Sequence, residues 1–179
     1  MFASMPQDAF HPQRTISELV AMHLRLSDLF EDLSHFERVW RPEEGKWSCT
    51  EVMGHLVDAE IAFAFRIRTA LAEPGKALGA FAQDAWVAAQ RWNEKPVSES
   101  LHVFHALRQA TVTLLEGLSE EQLRQHYVHE IRGPQSIADT ASLLAWHDSR
   151  HLVQLGRTAE LARDASQRGT RAASRESSL

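Results

Sequence analysis

Residues 136–161 read SIADTASLLAWHDSRHLVQLGRTAEL, and this stretch decides the fold. Gly133 and Pro134 precede it as breakers, Ser136 with Asp139 forms a loose capping box, and the run beyond is rich in Ala, Leu, Arg and Gln. Residues of that kind lose little side-chain freedom in a helix, and side chains of the capping type satisfy the first unpaired backbone N–H groups. The spacing therefore predicts a helix from about Ile137 to Leu161. Inside it, His147 and His151 are four residues apart, which puts both rings on one face about one turn from each other. Such a pair can chelate an ion. Alone it is a weak signal in a chain with ten histidines, and His102/His105 and His126/His129 are close pairs as well.

Three more capping boxes mark helix starts upstream: Thr15 with Glu18, Ser48 with Glu51, and Ser119 with Gln122, the last opening only a short turn. A first helix is predicted over about Ile16–Phe36, its stripe formed by Ile16, Leu19, Val20, His23, Leu26, Phe30 and Leu33 at three- and four-residue spacing. A second runs from about Cys49 to Leu71, stopped by Glu73-Pro74-Gly75, and a third from near Ser98 to just before Gly117. No alternating Val, Ile, Thr and aromatic run signals a strand. The reading is all-α: a four-helix bundle with a long connection between helices 2 and 3, about Ala72–Val97, in which Asp84–Trp92 forms a short helix. A long connection lets neighbouring helices run parallel, which favours an up-down-down-up order. The expected organisation is a flexible N-terminus over 1–13, the bundle over 14–162, and a disordered tail over 163–179, where the apolar stripe ends.

The chain has 179 residues and a formal net charge of −5. That balance gives no electrostatic reason to bind nucleic acid or an anionic membrane. With the single cysteine Cys49, neither an intramolecular disulfide nor a cysteine-based metal cluster can form. No apolar run is long enough to span a bilayer and no signal-like leader opens the sequence. The expectation is a cytoplasmic protein acting on a small molecule, with no nucleic-acid or membrane partner and a homodimer as the expected assembly.

A third ligand for an ion must come from another helix. His55 shares its side of helix 2 with Val52, Ala59 and Ala62, so it faces the core. A core histidine is more often satisfied by packing or a hydrogen bond than by a metal. The surrounding sequence bears on that choice. Lys46 to Glu60, KWSCTEVMGHLVDAE, with the preceding Arg41-Pro42-Glu43-Glu44-Gly45, closely resembles the helix 2 signature of the DinB-like metal-binding superfamily. Trp146 to Leu155, WHDSRHLVQL, resembles its second signature, and Phe81–Asn93 and Leu107–Leu123 are similar to its pattern too, so the resemblance covers about Thr15–Leu161.

The resemblance implies a bundle in which His55, His147 and His151 hold one divalent ion, zinc or nickel, with coordination positions open to water or substrate. Enzymes similar in this way are thiol transferases and thiol-dependent isomerases, so a low-molecular-weight thiol is an implied co-substrate; a hydrolase that activates water is the variant. The alternative is a non-catalytic, structural or stress-related metal-binding bundle, closed by a fourth ligand such as Asp58 or Glu51, or a dimeric interaction module. Glu51 and Asp58 are weak catalytic candidates. The capping box is the favoured role of Glu51, and Asp58 is as well read as solvated surface charge. Asp148 is expected to project away from His147. Cys49 is read as a small near-surface residue, with thiol activation by the helix dipole as the less common alternative. Trp47 is read as packing over the start of helix 2, and Trp86 and Trp92 as ordinary core residues, with pocket walls as the less common alternative for all three; His23 lies on the helix 1 stripe, with the pocket as its less common place, and His102 and His105 are read as surface or interface residues.

Overall fold

A computed structural model describes residues 11–176, with side chains placed through residue 169. The first long helix, α1, spans Pro12–Glu31 and starts earlier than the Thr15 box suggests. Pro12 occupies the first turn, where its missing N–H costs nothing, so the helix begins there and Thr15 is buried inside it. The same helix stops five residues short of Phe36, because Ser34 and Glu37 form a reciprocal capping box that opens a separate helix α2, His35–Val39. Of the N-terminal segment expected to be flexible, Pro12 and Gln13 are helical, and residues 1–10 lie outside the described residues.

Helix α3 spans Cys49–Ala72 with the Ser48/Glu51 capping box in place. The connection after it holds a two-residue strand β1, Ala77–Leu78, helix α4, Gln83–Gln90, and a single 3-10 turn, Trp92–Glu94. Helix α5 follows over Val97–Glu116, then the short α6, Glu120–Leu123, capped by Ser119 and Gln122. Strands β2, His126–His129, and β3, Gly133–Ser136, precede α7, Ile137–Glu176.

The four long helices α1, α3, α5 and α7 form the bundle. Leu19 and His23 of α1 meet Arg108 and His105 of α5, so those two helices run antiparallel. Glu60 and Arg68 of α3 meet Arg108 and Ala110 of α5 in the same chain sense, so that pair is parallel. Cys49 and His55 of α3 meet Leu155 and His147 of α7, an antiparallel pair. The order is up-down-down-up, and the long β1–α4 connection is what carries the chain back to make α3 and α5 parallel.

One expectation gains a minor addition and one is corrected. The all-α bundle also carries a small sheet at one end, in which β2 pairs antiparallel with β3 and parallel with β1. Its strands are too short to show a period-2 pattern, and Gly133, at φ 72°, supplies the hairpin's left-handed residue. The segment from Arg163, expected to be disordered, continues α7 through Glu176. Its Ala, Arg, Gln and Glu content favours helix, and extending an existing helix requires no new nucleus. Helix α2, unseen in the sequence, packs against α7.

The apolar core falls into two clusters. One gathers Met22, Leu26, Phe30, Val52, Met53, Leu56, Phe104 and Leu155, the other Leu19, Ala59, Phe63, Ile67, Tyr127, Ile137 and Leu144. Between them lies a polar layer. Arg108, 2% exposed, donates to Glu60 (Nε–Oε2 2.9 Å), to Asp148 (Nη1–Oδ2 2.6 Å) and to the Leu19 carbonyl (3.0 Å), and so touches all four bundle helices. Thr111 donates to the other oxygen of Glu60 at 2.6 Å.

Candidate metal centre

His55, His147 and His151 sit at the level of this polar layer, on the α3–α7 seam. His55 is fully buried by the helix pair, whereas His147 and His151 are half-buried. One ring nitrogen of each lies within 4.8 Å of the corresponding atoms of the other two, and this is the one such group of three among the described residues. The Nε2 atoms of His55 and His147 face each other at 3.1 Å. Two ligands bound to one ion at 2.0–2.1 Å stand about 3.0–3.4 Å apart, so the observed spacing fits a shared ion. His151 donates from Nδ1 to the Gln154 carboxamide oxygen at 2.9 Å, which leaves its Nε2 as the free lone pair.

The electrostatics favour neutral imidazoles. Burial, with the neighbouring His151 and His147, pushes His55 down to about 2. Burial and His147 push His151 down to about 4. Neutral imidazole is the form that ligates a metal. The Nδ1 atoms of His55 and His147 have no hydrogen-bond partner, and Oδ1 of the buried Asp148, also unpartnered, is 4.0 Å from the His147 Nδ1. Three convergent ring nitrogens with so little other hydrogen bonding form a donor set suited to a divalent ion.

Aromatic rings wall the centre. The Trp47 ring is 4.9 Å from that of His55, Phe81 lies 6.3 Å from His55, and Phe63 lies 5.8 Å from His147. The Trp86 ring packs at a tilt against Phe81, 5.2 Å between centroids, one ring further out. Trp92, by contrast, is a core residue: it covers Gly54, where an added Cβ would stand 2.2 Å from the indole. His23 does not reach the centre. Its ring lies against that of His105, tilted by 31° with centroids 3.9 Å apart, in the α1–α5 seam beside exposed His102.

The acidic candidates turn elsewhere. Glu51 caps α3 through the Ser48 N–H (2.9 Å) and takes two bonds from Arg41, one of them from Nε at 2.8 Å. Burial raises its pKa, but the Arg41 and Ser48 bonds outweigh that and hold it below the ordinary carboxylate value. Asp58 is not the solvated charge allowed for in the sequence. It is buried, accepts from Gln90 Nε2 at 2.6 Å, and burial raises its pKa. Asp148 is held by Arg108. Cys49 is fully buried rather than near-surface, and burial pushes its thiol up to about 12, so the helix N-terminus does not activate it. Gln154 and Arg108 were not singled out in the sequence. Gln154 carried the i, i+3 relation to His151 as its only signal, and Arg108 carried none.

A cleft of about 470 Å³ opens beside His151, between α7 and the loop 42–47 that leads into α3. Its walls include Trp47, Gln154 and Thr158.

Comparisons with known proteins agree with this architecture. A protein of Oceanobacillus iheyensis, named for a proposed metal-dependent hydrolase activity, is 31% identical over 131 residues, covering 73% of this chain and 75% of its own. The structure of YfiT from Bacillus subtilis, described as a metal-dependent hydrolase by inference and as a four-helix bundle of unusual topology, superposes with a TM-score of 0.82 at 19% identity, over 93% of this chain and 95% of that one. The mycothiol-dependent maleylpyruvate isomerase superposes with a TM-score of 0.65 at 13% identity, over 84% of this chain and 64% of that one. The family model of the DinB superfamily matches residues 18–155, a span that holds the bundle and all three histidines. On that match, and on the identity to the Oceanobacillus protein, the chain belongs to the DinB superfamily.

Proposed function

We propose that the protein is a metal-dependent enzyme that holds one divalent ion, zinc or nickel, through His55, His147 and His151 and transfers a small-molecule thiol to an electrophile. The observation that carries this reading is the convergence of three imidazoles at the edge of an open cleft. An ion in this donor set lowers the pKa of a thiol or a water that joins it. Glu51 and Asp58, the fourth-ligand candidates of a closed structural site, are committed to Arg41 and Gln90, which supports a centre with open positions.

The same commitments favour a thiol over water as nucleophile. Hydrolysis gains from a carboxylate base beside the water, whereas Glu51 is bonded to Arg41 and Ser48, and Asp58 and Asp148 each spend one oxygen on Gln90 and Arg108. A thiol, already more acidic, needs only the ion. In the transfer, the thiol sulfur loses its proton and bonds to a carbon of the electrophile, while the leaving group departs with the bonding pair and is protonated. Trp47 and Phe81 would exclude bulk water from the buried side, and Gln154 would hold His151 in the ligating tautomer. The description of the relatives as proposed hydrolases keeps hydrolysis as the second reading.

Elemental mass spectrometry on untagged protein exposed equally to zinc and nickel tests the site. The wild type should carry about one ion per chain, and a His147→Ala/His151→Ala variant that stays helical by circular dichroism should carry none. Equal binding by the variant would refute the three-histidine site. Turnover of an electrophile only with added thiol supports transfer; turnover without thiol supports hydrolysis.

A further inference from the structure

The geometry points to the cleft beside His151 as a recognition site for a small molecule carrying one or more anionic groups, so that the thiol handled in the proposed reaction is an anionic one. This rests on the metal-centre reading for the identity of the thiol, but not for the charge preference.

The cleft is lined by three cationic side chains, Lys46, Arg150 and Arg157, and by one acidic residue, Glu43. None of the three cations makes an ion pair with a carboxylate among the described residues, in contrast to Arg41, Arg91 and Arg108, which all do. The local excess of positive charge stands against a chain whose net charge is −5, so it is not a sample of the general surface. Its placement is ordered by the helix. Arg150 and Arg157 are seven residues apart, which sets them on one flank of α7, about 10 Å from each other along the axis. Gln154 and Thr158 fill the adjacent stripe of the same wall. Lys46 faces them from the loop before α3.

His151 belongs both to this lining and to the three-histidine group, so the cleft and the centre share a wall. A molecule whose sulfur reaches the histidines would extend its remaining atoms one to two turns along α7, past Arg150 toward Arg157. The cleft volume of about 470 Å³ suits a metabolite-sized ligand. Arginine forks bind carboxylate and phosphate with paired hydrogen bonds, so either group is served by this lining.

Cobalt-loaded protein tests the inference, because a thiolate on cobalt gives a charge-transfer absorption band. Mercaptosuccinate, with two carboxylates, is titrated against neutral 2-mercaptoethanol at low salt, in the wild type and in an Arg150→Glu/Arg157→Glu variant. In parallel, calorimetry follows succinate and glycerol 3-phosphate, which carry no thiol. Mercaptosuccinate is expected to bind at least tenfold more tightly than 2-mercaptoethanol, with the gap collapsing to under twofold in the variant and shrinking with salt. Tighter binding of succinate than of glycerol 3-phosphate assigns the group as carboxylate, the reverse as phosphate. Bands of equal affinity for both thiols would overturn the anionic preference and leave thiol binding standing. Succinate or glycerol 3-phosphate binding that needs the two arginines, with no thiol band, would uphold the anionic cleft and refute the thiol reading. Binding of no anionic probe, or binding unchanged in the variant, would overturn the inference.

Discussion

Gly54 shows at the residue scale how closely the neighbourhood of His55 is packed. The Trp92 indole lies where a Cβ would be, 2.2 Å from that position, on the helix turn that carries the histidine. Gly54→Ala must displace Trp92 and should destabilise the fold by about 1–3 kcal/mol, with a shift of tryptophan emission, as denaturant melts and fluorescence would record. Arg108 is the more consequential residue. Its guanidinium, almost wholly buried, is matched by Glu60 and Asp148, and their attraction outweighs burial to raise its pKa. Arg108→Ala would strand two buried carboxylates, so a loss of about 3–5 kcal/mol is expected in urea unfolding. Cys49 should be silent: the native protein is expected to react with a thiol reagent only at its unfolding rate, and fast labelling would contradict its burial. The sequence marked His147 and His151 by spacing and His55 by its core-facing position and its motif. It gave no sign that Arg108 joins four helices, since a lone arginine on a helix has the same appearance whether solvated or buried.

At the scale of the element, α3 and α7 are the pair that makes the site, and they differ in how they were legible. Both starts were written in local chemistry, the Ser48/Glu51 and Ser136/Asp139 boxes, because capping is a contact between residues three apart. The far end of α7 was not, because a helix with no apolar stripe owes its length to propensity and to propagation from an existing nucleus. The histidines lie well inside the bundle, so truncation after Ala162 is expected to leave metal content unchanged while lowering the helical signal in circular dichroism. Loss of the metal in that truncation would mean that the extension helps to hold the centre. The small sheet escaped notice because its pairing partners are distant in the chain, Ala77 with Val128 and Leu78 with His129.

For the whole molecule, the three histidines couple folding to pH and, on the proposed reading, to metal. His55 and His151 are held near 2 and 4 in the folded state, below the ordinary histidine value of 6.5. The unfolded chain therefore binds more protons than the folded one in that range. The stability these residues contribute is fully present above pH 6.5 and is lost as pH falls from 6.5 toward 4 for His151 and onward toward 2 for His55. Chelator-treated protein should show a urea midpoint that declines across this window, and the His147→Ala/His151→Ala variant a shallower decline. A bound ion favours the folded state by mass action, so metal should raise the melting temperature in a concentration-dependent way at neutral pH. By itself the sequence determined the four long helices and two of their capping boxes, the parallel return between the second and third, and the two histidines that share a face. Each of these depends on residues near one another in the chain or on the length of one connection. Only the tertiary structure decided that His55 meets the other two, that the acidic candidates are engaged elsewhere, and that Lys46, Arg150 and Arg157 line one cleft. Those facts depend on how α3, α7 and the loop before α3 pack across the bundle, and packing brings together residues about a hundred positions apart whose relation no local pattern records.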